Sequence, residues 1–202
     1  MVQPSPVLFM VSSMTTVLDY IRQNDERFLA ELHEFLSIPS VSTAPEHKED
    51  VARCAEWVKA QLDMIGLENT TIYPTGGHPI VYGEWLHAGE GAPTVVFYGH
   101  YDVQPVDPLN LWTTPPFEPT VRDGKIYARG AMDDKGQVFL QLKSLEAHLK
   151  TNGSLPVNVK VLIEGEEEIG SVHLEQFLRD RREMLACDTV LVSDTTMFAE
   201  NL

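Results

Sequence analysis

Six residues in four short segments supply the groups for metal-assisted hydrolysis. His100 and Asp102 lie in GHYD (99–102), Asp133 in RGAMDDKG (129–136), Glu167 and Glu168 in EGEEEIGS (164–171), and Asp194 in VSDT (192–195). An imidazole with several carboxylates is a donor set suited to zinc, manganese or cobalt. His100, Asp133, Glu168 and Asp194 are the candidate ligands. Asp102 stands two residues beyond His100, so in extended chain it points to the same side and could hold the far ring nitrogen. Glu167, next to a ligand, could take the proton of an attacking water.

Each residue also has a plainer reading. His-x-Asp is common, and an aspartate before a helix, like Asp133, is ordinarily a cap. Glu164, Glu166, Glu167 and Glu168 could form a solvated acidic loop, and Asp194 a turn cap. Their convergence carries the argument. Apolar runs at 94–98, 157–163 and 189–192 end just before His100, the glutamate cluster and Asp194. Open α/β sheets place their sites at such strand ends. The glycines around Asp133 permit the tight turn that would bring it to the same edge.

The elements that must position these residues follow from periodicity. A helix opened by Thr15 or Thr16 is expected to run to about Leu36, with Leu18, Ile21, Phe28, Leu32 and Phe35 at helical spacing. A second helix spans about 48–65, with Val51, Cys54, Ala55, Val58 and Leu62 on one face and Gly66 as its stop. Strands are expected at 70–73, 80–85 and 94–98, then a proline-rich loop, then a hairpin turning at Asp123-Gly124. The remainder reads as helix 136–150, strand 157–163, helix 172–185 and a buried strand 189–192, central if the fold is compact, the alternative being truncation. Alternating strands and helices predict an α/β domain, layered α/β/α around a mostly parallel sheet.

Fifteen Lys and Arg against thirty Asp and Glu give a net charge of −15. That balance argues against nucleic acid and against an anionic membrane surface as partners. No apolar stretch approaches membrane-spanning length. The two cysteines, Cys54 and Cys187, form no CxxC pair and fit a reducing cytoplasm. Residues 1–13 are expected to be a disordered extension without a signal peptide's basic start.

The segments FYGHYDVQP (97–105), YARGAMDDKG (127–136) and EGEEEIGS (164–171) resemble the signatures of the M20 metallopeptidases, the carnosinase-like and carboxypeptidase G2-like enzymes. The loop Trp112–Phe117 is similar to the dipeptidase branch. The resemblance implies a zinc-peptidase-like catalytic domain whose N-terminal portion is residues 14–202, with the lid and dimerisation domain absent. It implies two divalent ions, most readily zinc. His100 and Asp194 would hold one, Glu168 the other, and Asp133 would bridge both, its own peptide bond to Asp134 being cis. Asp102 would orient His100, and Glu167 would be the general base acting on a small peptide. The full-length family member is expected to be a homodimer. Removal of acyl groups from amino acids is the alternative activity, and a catalytically incomplete fragment the other. The family's distal histidine ligand has no counterpart among His33, His47, His78, His87, His148 and His173. His33, His148 and His173 read as ordinary surface or core residues.

Overall fold

The structure, a computed structural model, describes residues 16–196; the expected extension at 1–13 and Thr15 lie outside them. Residues 16–23 are helical and turn at Asn24 into α1 (Asp25–Leu36). The expected single helix is therefore broken. The Asn24 side chain donates to Tyr20 O at 2.8 Å, a local bond that competes with the helical ladder. Then come α2 (Lys48–Ile65), β1 (Glu68–Tyr73), β2 (Ile80–Trp85), β3 (Thr94–His100), the hairpin β4 (Thr120–Arg122) and β5 (Lys125–Tyr127), α3 (Lys135–Asn152), β6 (Asn158–Glu164), α4 (Leu174–Asp180) and β7 (Thr189–Val192).

The five long strands form one sheet in the order β1-β2-β6-β3-β7. β3 runs parallel to both β6 and β7, while β2 is antiparallel to β1 and β6. The sheet is thus mixed, with its parallel part at the end that carries the candidate site. Alternation of side chains splits the core in two. Val81, Trp85, Val159, Val161 and Ile163 face α2 and α3 on one side. Ile80, Tyr82, Val96 and Leu162 face Phe177 of α4 on the other. This is the α/β/α layering read from the sequence. On α2, Val51, Cys54, Ala55, Val58 and Leu62 are all fully buried, with Val51, Val58 and Leu62 each contributing roughly 1.5–3 kcal/mol. Gly66 ends that helix at φ +101°, a conformation costly for any residue with a Cβ. Asp123 and Gly124 both take positive φ, as a two-residue hairpin turn demands.

Two further expectations need correction. The segment 172–185 holds only the short α4; after Asp180 it proceeds by turns. Arg181, Arg182 and Glu183 are exposed and interrupt the apolar spacing, while Met184 and Leu185 beyond them still pack against the Phe177 cluster from the turns. β7 is neither buried nor central. Among the described residues it is one of the two edge strands, and all four of its residues are exposed, including Val190, Leu191 and Val192.

Candidate metal centre

His100 is the last residue of β3, paired with Glu164 at the end of β6. β7 continues the same parallel register and hands the chain to Asp194 two residues later. Three neighbouring strand ends therefore deliver His100, the 164–168 segment and Asp194 to one edge. The turn before α3 adds Asp133, and the Asp133–Asp134 peptide is cis.

One ligand atom from each of His100, Asp133 and Asp194 lies within 4.8 Å of the others. From His100 Nε2 the distances are 3.2 Å to Asp133 Oδ1, 3.4 Å to Asp194 Oδ2 and 3.9 Å to Glu167 Oε2. His100 is fully buried, yet among the described residues its Nε2 has no hydrogen-bond partner. A buried polar atom without a partner costs free energy. Here it is aimed at three carboxylates that repel one another. A divalent cation at that point would satisfy the nitrogen and cancel the repulsion, so the residues fit the ion the chemistry implies.

The far side of the ring rests against Asp102, through its backbone oxygen as well as its carboxylate. His100 Nδ1 lies 3.0 Å from the backbone oxygen of Asp102 and 3.3 Å from its carboxylate. The Asp102 carboxylate has a further task that its spacing from His100 did not suggest. Fully buried, it accepts the backbone N–H of Glu167 at 3.2 Å and that of Glu168 at 3.1 Å. It thereby fixes the short 3-10 turn Glu167–Ile169 that presents both glutamates.

The acidic cluster divides by role. Glu164 and Glu166 are buried and hydrogen-bonded. Glu164 accepts from Tyr98 OH and Ser171 Oγ. Glu166 accepts from the backbone of His78 and from His173 Nδ1, so His173 serves this clamp and is not an idle surface residue. Glu167 and Glu168 are only partly buried. Glu168 stands outside the group of three, with Oε2 held at 2.7 Å by Gln104 Nε2. Asp134 was not singled out by the sequence. It is buried, and its Oδ2 accepts His100 N–H at 3.0 Å, fixing the backbone of the histidine.

Burial pulls His100 down, but the hydrogen bond and charge of Asp102, with Asp134 and Asp194, outweigh it and push its pKa up to about 10. Burial pushes Asp134 up to about 7 against the opposing pull of His100. Glu167 and Glu168 are also raised, by burial first and then by neighbouring aspartates; His100 opposes both shifts, and Gln104 opposes that of Glu168. Perturbed carboxyl groups beside a buried imidazole are what a proton-transfer site requires.

Residues 96–201 match the family described as Peptidase family M20/M25/M40. The chain is 35% identical over 172 residues to a cysteinylglycine-S-conjugate dipeptidase of Corynebacterium striatum, covering 85% of this chain and 37% of that protein. It is 31% identical over 211 residues to the human Beta-Ala-His dipeptidase, covering 98% and 40%. The structure of human carnosine dipeptidase 1 superposes with a TM-score of 0.82 at 31% identity, covering 91% of this chain and 41% of that one. The chain thus spans about two fifths of the length of these relatives.

Proposed function

This chain belongs to peptidase family M20/M25/M40, and on that premise we propose that it carries most of a two-metal dipeptidase centre. The observation that supports this reading best is the buried Nε2 of His100, which has no hydrogen-bond partner among the described residues and faces Asp133 and Asp194. His100 and Asp194 would hold one ion, Glu168 the second, and Asp133 both, zinc being favoured by the mixed nitrogen and oxygen donors. Bound there, the ions would polarise the scissile carbonyl and acidify the attacking water. Glu167 Oε2 takes the proton from that water, its raised pKa suiting it to hold the proton and then release it to the leaving amine. Asp102 holds the His100 ring with Nε2 forward and fixes the backbone of the turn that aims Glu167. The substrate class is a dipeptide or other small peptide, following the named activities of the relatives. Residues 14–202 are the N-terminal portion of the catalytic domain in this reading, the whole protein is a homodimer, and its compartment is the cytoplasm. The free thiols of buried Cys54 and exposed Cys187 agree with a reducing compartment.

The test uses the whole natural protein, loaded with zinc and offered a panel of dipeptides and N-acyl amino acids. Glu167→Gln should retain its zinc while turnover falls about 10²- to 10⁴-fold. Near-normal turnover would remove Glu167 as the base. Cleavage confined to the N-acyl amino acids would replace the peptidase reading with the deacylase one.

A further inference from the structure

Resting on the metal-centre reading, we infer that neutral carboxamides are the positioning residues of this site, with Gln104 setting one half and Gln137 and Gln141 the other. His100, Asp102 and Gln104 are alternate residues of one segment. Gln104 Nε2 donates to Glu168 Oε2 at 2.7 Å and lies 3.4 Å from the Glu168 backbone oxygen. With Oε2 engaged, Oε1 is the oxygen left for an ion. On α3, Gln137 and Gln141 are four residues apart and share a face. Gln141 Nε2 donates to Ser193 Oγ. Gln137 Nε2 donates to Thr195 O at 3.1 Å and to Met132 O at 2.9 Å. Asp194 is thus tethered on both sides to one helix, and the same Gln137 amide holds the residue before Asp133. The Glu168 carboxylate and the carbonyl oxygens of Glu168, Met132 and Thr195 can only accept, which assigns the NH₂ end of Gln104 and of Gln137; the Ser193 hydroxyl can also donate to an amide oxygen, so it does not by itself assign Gln141.

Charge explains the choice of residue. A lysine or arginine could make the same contacts, but its cation would pair with the ligand carboxylates and compete with the metal. The two cations that flank the Asp133 turn are committed elsewhere. Lys135 Nζ donates to Phe35 O and Ile38 O, and Arg129 donates to Pro105 O. An amide supplies the donor without the charge. Carboxylate ligands depend on such outer partners, whose loss typically weakens metal binding about 10- to 100-fold.

The experiment is a competitive zinc titration of the whole natural protein, with bound zinc counted by elemental analysis. Methionine replaces each glutamine because it is of similar length, unbranched and close in helix propensity. Glu168→Gln and Asp194→Asn identify the two ions. Gln104→Met should weaken by about 10- to 100-fold the ion that Glu168→Gln weakens. Gln137→Met should chiefly weaken the ion that Asp194→Asn weakens, and neither should shift the melting temperature of the metal-free protein appreciably. Unchanged affinities, or the same ion weakened by both methionine variants, would overturn the inference while leaving the metal centre standing. Failure of the wild type to bind two zinc ions would overturn the two-metal reading and the inference with it.

Discussion

Asp102 does two jobs with one carboxylate. Its oxygens accept the amides of Glu167 and Glu168 while lying beside the ring of His100. Asp102→Asn keeps the shape but turns one acceptor into a donor that would face an N–H. We expect this to cost about 1–3 kcal/mol in urea unfolding of the metal-free protein, the range for a buried polar group left unpaired. A variant as stable as wild type would show that the turn is fixed by other contacts. Tyr101 is a smaller case. It is fully buried, and its OH donates to Pro79 O at 2.7 Å. Tyr101→Phe should lose about 1 kcal/mol, also read from urea unfolding. Gly165 could take no side chain without displacing that hydroxyl, which stands 2.3 Å from where a Cβ would sit.

At the scale of elements, buried acids join pieces of chain that lie far apart. Glu166 ties the loop after β1 to the turn after β6, and a Cβ on Gly77 would sit 1.8 Å from Glu166 Oε1. Gly77→Ala should therefore destabilise by about 1–3 kcal/mol, measured as a shift in melting temperature. Glu146 of α3 accepts from Arg27 of α1, from Lys143 at 2.8 Å and from Tyr20 at 3.0 Å. Burial pushes its carboxyl up, but the bonds from Arg27 and Lys143 prevail and hold it below the ordinary glutamate value. Because the folded value is the lower one, this contribution is full above the ordinary glutamate range and is lost as pH falls through the folded value. Glu146→Gln should be about 1.5–3 kcal/mol less stable at neutral pH and should lose less on acidification than wild type does. A wild type and variant with parallel stability–pH curves would contradict this.

The residues proposed as ligands could be picked out in the sequence because each follows an apolar run or a glycine turn, patterns that local chemistry imposes. Helix α2 and the Asp123-Gly124 hairpin were legible for the same reason. The supports were not. Gln104, Gln137, Gln141 and Asp134 are polar residues with no periodic signature, and their partners lie 34 to 64 residues away apart from the Gln137–Met132 bond. Nor could Glu166 be told from Glu167 by type or spacing. Only the path of the backbone after β6 decides which of them is buried.

For the molecule as a whole, the outer edge is the feature most out of balance. Val190, Leu191 and Val192 of β7 are about half exposed, and Leu140 on α3 is 71% exposed. Among the described residues no strand covers the free edge of β7. Such an edge templates pairing with another chain. The 202-residue polypeptide produced alone should self-associate, and Val190→Lys should shift it toward monomer by size-exclusion chromatography. A monodisperse monomer without the lysine would count against this.

The order of the sheet has a consequence for how the protein is made. β3, which ends in His100, is synthesised early, yet its partners β6 and β7 begin only at residues 158 and 189. On the ribosome this strand waits with neither neighbour while the hairpin and the whole of α3 are added. Its apolar stretch is then open to chaperones, proteases and other nascent chains. A slow codon run or an arrest between β3 and β6 would prolong that interval, so the pace of translation over this stretch bears directly on the yield of folded protein.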